Sequence, residues 1–150
     1  MARGKADARI EQRISTLKEN AKSHLTKSEY SEALSCLDLA IDLNMSSFKL
    51  YRLRAITHAC LGNYRGVAED ANKVIELAPT IMDGYYHKGY ALFNLKEYSD
   101  AAKAFQQGLR LHPNDKVLRQ GFWDSIALVS QSRSRNQDDA PVTEGELLIA

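Results

Sequence analysis

The sequence predicts an all-α chain: three stacked helix-turn-helix units closed by a capping helix. Three observations carry this. First, the stretch 82–113 repeats when slid back by 34 residues. Tyr98 falls on Tyr64 and then Tyr30, Leu111 on Leu77 and Leu43, Gly89 on Ala55 and Ala21, and Pro113 on Pro79, without an insertion. Second, apolar residues recur at helical spacing: Tyr85, Gly89 and Leu92, then Tyr98, Ala101, Ala102, Phe105, Gly108 and Leu109. Third, breakers stand between the periodic runs. Proline lacks an amide hydrogen and clashes with the preceding turn, so Pro79 and Pro113 each close a unit.

Taken in order, residues 1–13 read as a charged N-terminal extension, partly helical. The first helix is expected from about Ala8 or Arg9 to Thr26, with Ile10, Ile14, Leu17, Ala21 and His24 or Leu25 inward. Ser28 reads as an N-cap. A second helix over Tyr30 to Leu43 buries Ala33, Leu37, Ala40 and Ile41, and Asn44 to Ser47 is a turn. Phe48 to Cys60 forms the third helix, which Gly62 stops in a left-handed conformation. Tyr64 to Leu77 follows, with Val67, Ala71, Val74 and Ile75 inward. The units are therefore 14–47, 48–81 and 82–115. A capping helix over 116–130 places Val117, Leu118, Phe122, Ile126 and Val129 on the last unit, with Trp123 packed beside them. Residues 131–150 lose all periodicity and read as a disordered tail or linker. Leu147, Leu148 and Ile149 are too short a run to assign, unless a further domain begins there.

A 34-residue period with a helical hairpin in each unit resembles the tetratricopeptide repeat. The resemblance covers about 14–115, departing at Val67, where the family prefers alanine, and at Met45, where it prefers proline. It implies a right-handed superhelix whose first helices line a concave groove for a peptide or a partner helix. Transferred residue by residue, the groove takes Lys18, Lys22 and Leu25 from the first unit and Lys49, Arg52, Leu53 and Ile56 from the second. The third contributes Asp83, Tyr86, His87, Tyr90 and Phe93. Tyr86 and Tyr90 lie off the inward stripe of Tyr85, Gly89 and Leu92. Ala21, Ala55 and Gly89 are small where the two helices of a unit cross. Tyr30, Tyr64 and Tyr98 each fill the gap to a neighbouring helix.

The organisation also resembles three-repeat co-chaperone modules, which hold chaperone tails ending Glu-Glu-Val-Asp with a clamp of lysine, asparagine, asparagine, lysine and arginine. The matching positions here read Lys18, Lys22, Leu53, Asp83 and His87. Only the first is kept. Leu53 donates no hydrogen bond, and Asp83 repels a carboxylate.

Composition narrows the function further. The chain has 150 residues, 44% hydrophobic and 26% charged, with a net charge of +1, so bulk electrostatics makes no case for nucleic acid. No apolar run reaches the ~20 residues needed for membrane insertion. Cys36 and Cys60 follow no metal spacing. His24 and His58 occupy equivalent positions and read as interhelical packing residues, since no third ligand accompanies them. There is no phosphate loop, nucleophile–base pair or cofactor motif. The expectation is a monomeric, non-catalytic adaptor of the cytoplasm or nucleus, without cofactor or metal. It holds a protein or peptide segment with acidic and apolar residues in the groove. The rivals are a chaperone-tail adaptor with an altered clamp and a regulatory segment of a larger enzyme.

Overall fold

The structure, a computed structural model, describes residues 2–138, with side chains from 4 to 136. Seven helices occupy the described residues: α1 Ala2–Thr26, α2 Tyr30–Leu43, α3 Phe48–Cys60, α4 Tyr64–Leu77, α5 Met82–Asn94, α6 Tyr98–Leu111 and α7 Lys116–Asp138. Each packs on its sequence neighbour, and α3 also touches α5 and α5 touches α7. The result is a helical-repeat superhelix with α1, α3 and α5 as one layer, α2, α4 and α6 as the other, and α7 continuing the first layer.

One turn recurs three times and sets this register. Ser28, Gly62 and Lys96, each 34 residues apart, have φ of 61°, 73° and 63°. Behind each, two amides reach back to the orphan carbonyls of the helix end: Glu29 to His24 and Ser28 to Leu25, Asn63 to His58 and Gly62 to Ala59, Glu97 to Leu92 and Lys96 to Phe93. This is a Schellman stop. Ser28 is therefore the left-handed terminator of α1, and not the N-cap of α2. Glu29 holds the N-cap place without a side-chain bond to the helix. Of the three homologous caps, Asn63 alone accepts from a helix amide, that of Gly66. The turns between units also share a device. Tyr51 donates to the Met45 carbonyl at 3.1 Å, and Tyr85 to the Pro79 carbonyl at 2.8 Å. Met45 thus does the turn's work where the third unit is preceded by proline.

The core follows the predicted stripes in most places. Ala21 and Ala55 have no exposure, and Ala33, Leu37, Ala40, Val67, Ala71, Val74, Ala101 and Phe105 are buried. Full burial of a side chain such as Leu37 contributes about 2 kcal/mol. Gly89 admits the Phe105 ring so closely that a Cβ there lies 2.6 Å from it. Ile75 and Leu109 are half-buried.

An ionic cluster adds to this core. Arg54 donates to both oxygens of Asp70, at 2.8 and 3.0 Å, and to Asp38 at 3.1 Å. Its guanidinium also lies 5.6 Å from the Tyr51 ring centre. The hydrogen bonds that the guanidinium donates to Asp70 hold its pKa above its ordinary value despite burial. One side chain thereby ties α3 to both α2 and α4.

Both ends of the described chain depart from expectation. α1 begins at Ala2 and not near Ala8 or Arg9. α7 runs to Asp138, past the expected end at 130, so 131–138 are helical and not a tail. The reason is the same in each case. Extending an existing helix adds one hydrogen bond per residue without a new nucleus, and neither stretch contains proline. Ser130 and Ser134 return their hydroxyls to the carbonyls of Ile126 and Ser130. The rest of the expected tail, with Leu147 to Ile149, lies outside the described residues.

The inward stripe of α7 is also rotated from the predicted one. Leu118 and Ser125 have no exposure, and Gly121 and Phe122 are half-buried between them. Val117 and Ile126 are exposed, and Trp123 is 60% exposed, resting edge-on against Phe122. Small residues mark the contact, because Phe105 and α6 come too close for larger ones: a Cβ on Gly121 lies 2.6 Å from the Phe105 ring. Hydrophobicity pointed correctly to Leu118 and Phe122 and wrongly to Val117 and Ile126.

Candidate functional site: the concave face

The exposed side of α1, α3, α5 and α7 has two chemically distinct halves. At the α1–α3 end stand Lys18, Lys22, Lys49 and Arg52. Burial first, then the charges of Lys22, Lys49 and Arg52, lower the pKa of Lys18, which places these four cations within electrostatic reach of one another. Lys22 is also 3.6 Å from Glu19, a pair of exposed side chains that contributes little.

At the α5–α7 end the surface is aromatic. Tyr86 and Tyr90 stack with ring centres 6.2 Å apart. Tyr90 meets Tyr64 edge-on at 6.0 Å, and Phe93 meets Tyr98 at 5.4 Å. Burial, then neighbouring Tyr64, raise the Tyr90 phenol above its usual pKa. These rings open into a cavity of about 470 Å³ between α5 and α7, of a size that suits a large apolar group. Tyr86, Tyr90, Phe93 and Phe105 form one wall, and Val117 and Gly121 the other; Lys116, Asn94, Gln120 and Asp124 stand at the rim. A shallower hollow continues the wall toward α3 through Ile56, Ala59, Cys60 and His87.

Between the halves lies the junction of α3 and α5. Arg52 Nη1 donates to Asp83 Oδ2 at 2.9 Å. His87, one helical turn beyond Asp83, contacts the Tyr86 ring at 5.2 Å. Burial is the main cause that lowers its pKa; Asp83 opposes the shift and Arg52 adds to it. The imidazole is therefore neutral at pH 7.

Of the twelve groove residues expected from the sequence, eleven, all but Leu53, lie at least partly on the surface. Leu53 is 8% exposed and belongs to the core formed by α1 to α4. Its position faces the crossing with the neighbouring helices, so it offers a partner almost nothing. Tyr86 has a double role, since it also packs against the cluster of Leu92, Phe105 and Leu118. The α7 residues of the cavity were missed: Val117 was assigned inward, and Lys116, Gln120 and Asp124 were not singled out. The clue available was Gly121 followed by Ser125, two small residues one turn apart. His24 and His58 do not pair with each other. His24 Nδ1 lies 2.9 Å from Glu29, and His58 lies beside Asn63 and Asp70. Among the described residues no group of histidine, cysteine and carboxylate side chains is arranged to hold a metal, and no helix is long and apolar enough to cross a membrane.

A family model described as the tetratricopeptide repeat matches residues 83–115. The chain is 29% identical over 129 residues to the small glutamine-rich tetratricopeptide repeat-containing protein 2 of Mycosarcoma maydis, covering 86% of this chain and 37% of that protein. It is 35% identical over 115 residues to the Hsp70-Hsp90 organizing protein of Triticum aestivum, covering 77% of this chain and 20% of that one. It thus spans well under half the length of these curated relatives. Among solved structures, the first repeat domain of Spaghetti (RPAP3) bound to the HSP90 peptide SRMEEVD superposes with a TM-score of 0.75 at 23% identity, over 79% of this chain and 94% of that one. The Sgt2 repeat domain of Aspergillus fumigatus gives 0.74 at 19% identity, over 87% of each chain.

Proposed function

We propose that this chain, a member of the tetratricopeptide repeat family, is a non-catalytic adaptor that holds a segment of another protein across its concave face. The observation that carries the reading is the joining of two complementary surfaces on one face. An aromatic wall opens into the apolar α5–α7 cavity, and a cluster of lysines stands at the other end. Tyr90, Phe93 and Val117 supply area that a partner's apolar side chain desolvates. Lys18, Lys22 and Lys49 draw in its carboxylates. The cytoplasm is the compartment we assign. A peptide array of acidic–apolar sequences tests the reading, read with the wild type, Tyr90→Ala and Lys49→Glu. Both variants are expected to lose the bound sequences while keeping their helical circular dichroism. Equal binding by all three overturns the groove as the site.

A second reading is favoured by likeness to the RPAP3 domain and to the Hsp70-Hsp90 organizing protein: capture of a chaperone tail. The centre of the face ranks it lower. Leu53 is buried and apolar, Arg52 is engaged by Asp83, and His87 is uncharged.

A further inference from the structure

The middle of the concave face carries a carboxylate of its own. Asp83 stands in the first turn of α5, where the helix dipole favours its negative charge. It accepts from Arg52 at 2.9 Å across the gap between α5 and α3. Neither side chain is deeply buried: Arg52 is 39% and Asp83 31% exposed. The pair therefore lies open to a ligand, in the position a bound carboxylate would take on Arg52. The other groups at this junction are Leu53, which has no donor, and His87, which is packed against Tyr86. The lysines that are left for acids stand toward α1, and the apolar cavity lies on the far side, toward α7.

We propose that Asp83 is a specificity-determining residue of the groove: by holding the Arg52 guanidinium it makes the centre of the face neutral, so that the groove takes an internal, acidic-to-apolar segment and rejects a chain end that presents its carboxylate there. The inference rests on the concave face being the partner site. Its ligand class follows from the geometry. Carboxylates sit on the α1–α3 side, uncharged residues cross the Arg52–Asp83 pair, and a large apolar side chain enters the α5–α7 cavity. Neighbouring packed helices are about 8–10 Å apart, so crossing from α3 through α5 to α7 spans roughly 20 Å. An extended chain advances about 3.3 Å per residue, which puts about six residues between acid and apolar anchor.

The test uses the full chain, titrated by calorimetry with the free-acid peptide Ser-Arg-Met-Glu-Glu-Val-Asp and with its C-terminal amide. Asp83→Asn is expected to bind the free acid at least about tenfold more tightly than the wild type, with no such gain for the amide. The double variant Arg52→Gln with Asp83→Asn is expected to lose the gain. Circular dichroism establishes that each variant is folded. An Asp83→Asn protein that is folded and binds no better than the wild type overturns the proposal. So does a gain that survives in the double variant, since Asp83 then does not act through Arg52. Backbone resonances locate the peptide: shifts at Lys49, Arg52 and His87 support the proposal. Shifts confined elsewhere overturn the groove reading itself, a failure separate from that of Asp83.

Discussion

The Phe105 ring stands where a side chain on Gly121 would be. A Cβ at 121 lies 2.6 Å from the ring, and one on Gly89, on the opposite side, also lies 2.6 Å away. The ring lies against both α5 and α7. Gly121→Ala is therefore expected to lower stability by up to about 2 kcal/mol, the overpacking cost of about 1–3 kcal/mol being offset by the roughly 1 kcal/mol that alanine gains over glycine in a helix. Adding Phe105→Leu should return part of the loss, which chemical denaturation of the two variants measures. A neutral or stabilising Gly121→Ala means that α7 is not seated on Phe105.

The buried ion pair gives a second expectation. The Asp70 side chain is 4% exposed and accepts from Arg54 through both of its oxygens. Arg54→Ala leaves that carboxylate without its cation and should cost about 3–5 kcal/mol. Arg54→Ala combined with Asp70→Ala removes the stranded charge and should be less damaging than the single change. Melting temperatures in the order wild type, double, single check this; a harmless single variant refutes it.

Tyr85 and Tyr90 separate stability from binding. Tyr85 packs against Gly108 and donates to the Pro79 carbonyl, on the side of α5 away from the cavity. Tyr85→Ala is expected to lower stability by about 3 kcal/mol without changing which peptides bind. Tyr90→Ala should weaken a bound peptide by about 2 kcal/mol with a smaller effect on the fold. Tyr86 is unsuited to this comparison, because it lines the cavity and supports the core together. Calorimetry and melting on the same two variants decide the matter, and the reverse pattern contradicts the assignment of faces.

His87 predicts a pH effect. Its folded pKa lies below the ordinary 6.5 because burial disfavours the imidazolium. Just below pH 6.5 the unfolded chain binds a proton that the folded chain does not, so stability falls as pH drops through that window. The fall from this group stops once pH is below the folded pKa. Between about pH 6.5 and 5, His87→Gln should show a shallower decline than the wild type in denaturation measured at several pH values. Parallel curves remove His87 as a source.

The three left-handed turns supply a last comparison. Lys96 and Ser28 adopt a backbone that Gly62 adopts without steric penalty. Lys96→Gly should stabilise by up to about 1 kcal/mol, the relief of φ being partly offset by the freer unfolded chain. Gly62→Ala should destabilise by a similar amount, although nothing lies near its Cβ. Thermal melts of both variants test the pair, and equal effects of the same sign exclude the backbone explanation.

The repeat is legible in the linear chain. A period of 34 and stop signals at fixed offsets are local properties, so the bounds of α2, α3, α4 and α6 were readable, as were the inward stripes of the repeats. Gly89 announced its crossing because only a missing side chain allows Phe105 so near. What tertiary structure alone decided begins where periodicity ends. The phase of α7 depends on the shape of α6 beneath it, which chose Gly121 and Ser125 over the more hydrophobic Val117 and Ile126. The burial of Leu53 depends on neighbouring helices and not on its place in a unit. The groove's two halves, and the neutral centre between them, arise from side chains 31 residues apart that meet only when α3 and α5 stack. Helical spacing fixes which residues share a face of one helix, while the partner of that face is set by the packing of the next.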